Sequence, residues 1–268
     1  LRRGTVDFDR YIEELVDKRG RRGPENVIVL PRVESTNQLA RSIVTEYESE
    51  GEDLRPLLVL AFEQSGGRGR HGRSWTSPRG KGVYATLVTK IAEAEALQTL
   101  PLLVGVGLCR VLSIHLASPC RLKWPNDLLI ESGGERRKIG GILIEALVRP
   151  DGESRVIVGF GINHGHGMDE LPAAGTSVSL QGGTGVTLED LTWDLVAGVE
   201  REMAHLGDVA YAVESYRSWS IHRSGERLVC RSGDEVVEGT FLGFDERGFL
   251  LLESDGRELR LAAGEVIE

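Results

Sequence analysis

The chain has 268 residues, of which 40% are hydrophobic, with 32 basic and 41 acidic side chains giving a net charge of −9. That length allows one large or two modest domains around a substantial core, and the net acidity argues against a general nucleic-acid footprint. Cys109, Cys120 and Cys230 are odd in number and lack metal-ligand spacing, which excludes a disulfide framework or a zinc finger and fits a reducing compartment.

The start of the chain is charged and polar, with no apolar core ahead of a small-residue cleavage site, so a cytoplasmic location is expected. Phe8, Tyr11, Ile12, Leu15 and Val16 have helical spacing, and the basic stretch from Lys18 to Pro24 ends that segment. Residues 1–26 read as a short helical preamble. Val27–Leu30 reads as a strand, followed by Ser35-Thr36-Asn37 at the N-cap of a helix that keeps Leu39, Ile43, Val44 and Tyr47 on one face. Leu57–Phe62 is a continuous apolar run, which predicts a central strand buried on both faces.

From Gln64 to Gly82 there are five cationic side chains and no acidic one, interleaved with glycine. Glycines let backbone N–H groups approach an anion and guanidinium forks match phosphate oxygens, so this loop predicts a site for a small anionic ligand. Gly67, Gly69 and Gly72 formally match a dinucleotide fingerprint. That motif needs a helix directly after it, and here the strand-like Val83–Val88 follows, so the match is treated as accidental.

The run Leu97–Leu116 contains Arg110 and His115 and reads as a buried helix rather than a membrane span, with Pro101 in its first turn. A short strand over 121–124 then leads into a polar turn at Pro125-Asn126-Asp127. Residues 131–137 predict a hairpin turn that returns through Lys138 into the strand Ile142–Ile144, and Gly140 and Gly141 leave room for a ligand near the backbone. His164 and His166 lie in a glycine-rich loop with no further metal ligand, and residues 164–186 are expected to cross the surface. Helices are predicted from the capping-box-like Thr187–Asp190 and over about 208–221. Tight-turn signals at 232–234, 245–248 and 254–256 make 224–268 a small β-barrel, leaving 27–223 as the main domain.

Four blocks in order, Glu34-Ser35-Thr36-Asn37, Lys123-Trp124-Pro125-Asn126-Asp127, Lys138–Glu145 and Val156–Asn163, together resemble biotin protein ligases over about residues 33 to 265. The resemblance implies an α+β fold: a class II synthetase-like catalytic domain, a mixed sheet flanked by helices, plus an SH3-like C-terminal barrel. It implies ATP-dependent activation of biotin as biotinyl-5′-adenylate, with magnesium, and transfer to a lysine of a biotin carboxyl carrier domain of a carboxylase.

Carried over residue by residue, it places Ser35, Thr36, Asn37, Gln64, Gly69, Lys138 and Gly141 against biotin. Arg68, Arg70, Arg73, Asn126, Asp127 and Asn163 fall toward the nucleotide. Lys138, with Arg68 and Arg70, becomes the catalytic group, and Asp127 a magnesium ligand. Trp75 matches the motif without a settled role. Bacterial relatives often carry an N-terminal helix-turn-helix and repress transcription; about 25 residues before the first strand leave no room for one, so a repressor role is not expected, and with the net acidity and the buried reading of 97–116 neither nucleic acid nor membrane is an expected partner. A homodimer through the sheet stays open. Two other readings stand beside the ligase: a lipoate or octanoate ligase on the same fold, and a non-catalytic binder, either a biotin-sensing regulator or an RNA-binding barrel.

Overall fold

The structure, a computed structural model, describes residues 7–91, 96–148 and 154–267. Helix α1 (Phe8–Arg19) precedes strand β1 (Asn26–Leu30), helix α2 (Thr36–Ser49) and strands β2 (Leu57–Ala61) and β3 (Gly82–Ile91). Helix α3 (Ala96–His115) leads to β4 (Cys120–Lys123), β5 (Asp127–Ser132), β6 (Glu135–Val148) and β7 (Ser154–Asn163), then helices α4 (Leu188–Met203) and α5 (Val209–Trp219). These strands form one seven-stranded sheet ordered β1-β2-β3-β7-β6-β5-β4. Only the β1–β2 pair is parallel, which makes the sheet mixed.

Strand β2 is buried along its whole length, as its unbroken apolar run predicts. Leu58 and Leu60 enter the main core with α3 and α4, while Leu57 and Val59 pack under α2 with Ala40 and Val44. The strand is not central, however. It lies one in from the β1 edge, and helices on both faces account for its composition.

Helix α3 is long and apolar enough to cross a membrane by composition, yet two-thirds of that stretch (67%) is buried inside the protein. Pro101 lies inside α3 rather than in its first turn, where its ring removes one intrahelical hydrogen bond. Helices α3 and α4 cross with their backbones in close approach. A Cβ on Gly107 would lie 2.6 Å from the Gly198 carbonyl oxygen, so the crossing needs glycine. The N-terminal preamble is built into this layer: Tyr11 and Leu15 are buried, and the Trp193 indole donates to the Leu15 carbonyl at 2.7 Å.

The chain after α5 forms β8 (Arg227–Ser232), β9 (Glu235–Phe244), β10 (Leu250–Ser254), β11 (Arg257–Leu261) and β12 (Glu265–Val266). They pair antiparallel in the order β11-β10-β9-β8-β12, with a bulge between Leu251 and Leu252 that bends the β9–β10 pair. The ladder is open between β11 and β12, so this SH3-like unit closes through its side chains, Leu228, Phe241, Phe244, Leu250 and Leu252.

Candidate active site

A cavity of about 580 Å³ lies between the large sheet, the arginine loop and the edge of the C-terminal sheet. Its polar floor begins at α2. Ser35 sits at the N-cap but makes no capping bond; instead the Thr36 amide donates to Gln64 Oε1 at 2.9 Å, so the end of β2 and the start of α2 share one junction. Gln64 Nε2 donates to Ser77 Oγ at 2.9 Å. Asn37 lies across β7, where a Cβ at Gly159 would come within 2.0 Å of its Oδ1, so the glycine is required by the asparagine.

The glycine–arginine loop folds back on itself through Gly69 N to Arg73 O at 2.7 Å and Trp75 N to Gly67 O at 2.8 Å, around a short 3-10 turn over Arg70–Gly72. Arg70 is half-buried and donates to Asn126 Oδ1 at 3.3 Å and to the Gly264 carbonyl at 3.0 Å. Desolvation lowers its pKa. Arg73 pairs with Glu265, whose carboxyl is held below its ordinary range by that hydrogen bond. Arg68 is exposed on the cavity wall and its guanidinium makes no hydrogen bond or ion pair among the described residues.

Lys138 is aimed by a β-bulge. Leu128 faces Gly140 and Leu129 faces Lys138, so Ile139 is the extra residue, and it is fully buried. The Lys138 ammonium lies 2.6 Å from Asp127 Oδ1 and 5.5 Å from the centre of the Trp75 ring. Its backbone is clamped by Ala174 and Thr176, through Lys138 N to Ala174 O at 2.7 Å and Thr176 N to Lys138 O at 2.9 Å. Segment 164–186 therefore does not simply cross the surface: Gly175–Val178 is buried, and Asn163 Nδ2 donates to Thr176 O at 3.0 Å. The sequence hid this because polar, glycine-rich composition looks alike whether its backbone bonds to water or to a neighbouring strand. Asn126 braces the same corner, donating to the Ile142 carbonyl at 3.0 Å. Behind it, the His222 ring nitrogen Nε2 accepts from the Trp124 amide at 3.2 Å.

Every residue that the resemblance places against biotin or the nucleotide lines this one cavity: Ser35, Thr36, Asn37, Gln64, Arg68, Gly69, Arg70, Arg73, Asn126, Asp127, Lys138, Gly141 and Asn163. His164 and His166 do not. The His164 ring is hydrogen-bonded to the Val186 carbonyl, the His166 ring is buried, and no metal-binding group of three or more His, Cys, Asp or Glu exists among the described residues. Trp75, which matched the motif without a role, is in the wall, and further lining was missed. Gly161 and the Ala174–Gly175 backbone line the cavity, as does Glu265 from the C-terminal sheet. For Gly161 a signal existed, since it alternates with Gly159 on β7; a Cβ there would lie 2.5 Å from Trp75 Nε1. For Glu265 nothing local could have shown it.

A single cavity shared by a helix-flanked mixed sheet and an SH3-like antiparallel sheet defines a two-domain protein of the biotin ligase fold. Residues 29–163 match the biotin/lipoate A/B protein ligase family and residues 224–267 the biotin protein ligase C-terminal domain. The chain belongs to that family, on its biotin protein ligase branch. It is 31% identical over 247 residues to the biotin–[acetyl-CoA-carboxylase] ligase of Paracoccus denitrificans, covering 89% of this chain and 98% of that one. It is likewise 31% identical over 241 residues to the bifunctional ligase/repressor BirA of Escherichia coli, with 86% of this chain and 70% of that one covered. In fold it is similar to the biotin protein ligase of Aquifex aeolicus in complex with biotin and ATP, with a TM-score of 0.72, 24% identity and coverage of 90% and 97%.

Proposed function

We propose that this chain activates biotin with ATP and transfers it to one lysine of a carboxylase carrier domain. The observation that carries the reading is the meeting, in one cavity, of the Lys138 ammonium and the guanidinium groups of Arg68, Arg70 and Arg73 with the hydroxyl and amide groups of Thr36 and Gln64. The first set suits phosphate and carboxylate oxygens; the second suits a compact urea with two N–H donors and one carbonyl acceptor.

A free carboxylate is a poor acyl donor. In the first step a biotin carboxylate oxygen attacks the α-phosphorus of ATP, the bond from that phosphorus to the bridging β-oxygen breaks, and pyrophosphate leaves. Lys138 is placed to bridge the attacking carboxylate and the α-phosphate, holding negative charge as it develops, while Arg68 and Arg70 serve the phosphates. The Lys138–Asp127 pair keeps the ammonium in place before substrate arrives. In the second step the carrier lysine amine attacks the acyl carbon, the carbon–oxygen bond breaks, AMP leaves, and the proton passes to solvent.

Magnesium fits this site only as an ion carried by the nucleotide. Among the described residues there is no all-protein cage, and Asp127 offers a single carboxylate already shared with Lys138. Magnesium is commonly held by one or two carboxylates plus substrate phosphates, which is the role left to Asp127, and when bound it neutralises phosphate charge. The test is purified protein, biotin, ATP and a carrier domain with one acceptor lysine: the carrier gains biotin on that lysine only, and a lysine-to-arginine carrier gains none. Labelling of the arginine carrier at the same rate would defeat the reading.

A further inference from the structure

Behind the cavity floor runs a chain of hydrogen bonds that begins outside the cavity. Glu145 on β6 accepts from Arg41 Nη2 at 2.6 Å and from Asn37 Nδ2 at 3.0 Å, and the same Nδ2 donates to the Leu143 carbonyl at 3.2 Å. A carboxylate and a carbonyl only accept, so this side of Asn37 must be its NH2 group. The Asn37 carbonyl oxygen then faces the buried Thr86 hydroxyl at 2.7 Å. Thr86 has one proton, and it is committed to Asn37. Its 2.8 Å contact with Thr36 Oγ1 is therefore completed by the proton of Thr36. Gln64 Oε1, 3.2 Å from Thr36 Oγ1, is a second acceptor for that proton and also takes the Thr36 amide, so with either partner Thr36 has only lone pairs to offer the cavity, while one N–H of Gln64 Nε2 is held by Ser77.

We infer that Glu145, held by Arg41, is a positioning residue that fixes the proton order Asn37–Thr86–Thr36, so that Thr36 meets the ligand as an acceptor and selects a ring N–H there. None of Arg41, Thr86 or Glu145 lines the cavity. Without the carboxylate, Asn37 Nδ2 is held by the Leu143 carbonyl alone; when the amide turns over, Thr86 donates to Thr36 instead, and the Thr36 proton is left to share between Gln64 Oε1 and the cavity, where it opposes the ligand N–H. The inference rests on the biotin reading, since the ureido ring supplies that N–H.

The test is ATP–pyrophosphate exchange on the 268-residue chain, varying biotin and ATP separately, with circular dichroism melting to confirm folding. Glu145→Ala and Thr86→Val should each raise the biotin KM by about tenfold, the usual scale for one lost polar contact, with the ATP KM and kcat within about twofold. Thr86→Ser, which keeps the hydroxyl, should restore most of the biotin affinity. Because both changes act through one chain, the double variant should be little worse than either single one. Should Glu145→Ala not fold, the near-isosteric Thr86→Val and its serine counterpart carry the test alone. Additive losses near a hundredfold, an ATP KM that rises in parallel, or a biotin KM that does not move would each overturn the inference with the function intact. Absence of biotin-dependent exchange in the parent would overturn the function and the inference with it.

Discussion

Replacing Lys138 by alanine separates chemistry from scaffolding. The ion pair it makes with Asp127 is short, 2.6 Å, but both side chains remain partly open to solvent, at 34% and 26%. A pair so exposed contributes up to about 1 kcal/mol to folding. In a chain of this size that corresponds to a melting shift of roughly 2–4 °C. Removing a fixed charge that meets the developing transition-state charge costs about 2.7–4 kcal/mol of barrier, or a hundred- to thousand-fold in rate. The two magnitudes differ enough to be told apart. Lys138→Ala is assayed by ATP–pyrophosphate exchange at saturating biotin and by urea melting side by side. The expected result is a rate lower by two to three decades in a protein that melts within a few degrees of the parent. A rate loss under about threefold, or a stability loss large enough to explain the rate, refutes the assignment.

Two glycines give a steric contrast: a Cβ at Gly141 meets Lys138 and Trp75 at ordinary distances of 3.5–3.6 Å, whereas one at Gly161 meets Trp75 Nε1 at 2.5 Å. Gly141→Ala should keep the parent's stability and raise the biotin KM by about tenfold through lost cavity space, whereas Gly161→Ala should also displace the Trp75 ring and change its fluorescence; equal behaviour of the two would contradict this. Arg70 ties the loop to Asn126 and to Gly264, so Arg70→Gly should release the adenylate faster, by about tenfold or more, and label proteins that carry no acceptor domain. A chase experiment giving the same off-rate as the parent would remove that role. Burial pushes the His166 and His222 rings down to about 4 from an ordinary 6.5. Both stay neutral in the folded state over that window while the unfolded chain takes up protons, so stability is complete above pH 6.5 and falls as the pH drops toward 4, by up to about 3 kcal/mol per ring. Urea midpoints across pH 4–7 should show a shallower fall for His222→Gln, which keeps an acceptor for the Trp124 amide; identical pH slopes would exclude the ring.

Much of the site was legible in the sequence because its parts sit on local signals. Gln64 follows an apolar strand, Ser35-Thr36-Asn37 starts a periodic helix, and Lys138 stands beside two glycines on a strand, so each could be placed near an element before any contact was known. That last strand already begins at Glu135, however, and the turn expected over 131–137 is confined to Gly133–Gly134. The elements themselves follow from the same periodicities, down to the Thr187 side chain accepting from Asp190 N at the start of α4. What stayed hidden depends on pairing at long range. The position of β2 in the sheet, the burial of Gly175–Val178 against Lys138 and the reach of Glu265 to Arg73 are set by which segments meet, and composition is nearly blind to that. Pro101 was misplaced because a proline favours a first turn but is tolerated inside a helix whose packing repays one lost bond.

The most direct test of the central claim is ATP–pyrophosphate exchange by the purified protein with magnesium, comparing biotin with lipoate and octanoate. Exchange is expected with biotin alone. Exchange supported by lipoate or octanoate and not by biotin would contradict it, leaving the fold in place and the substrate wrong.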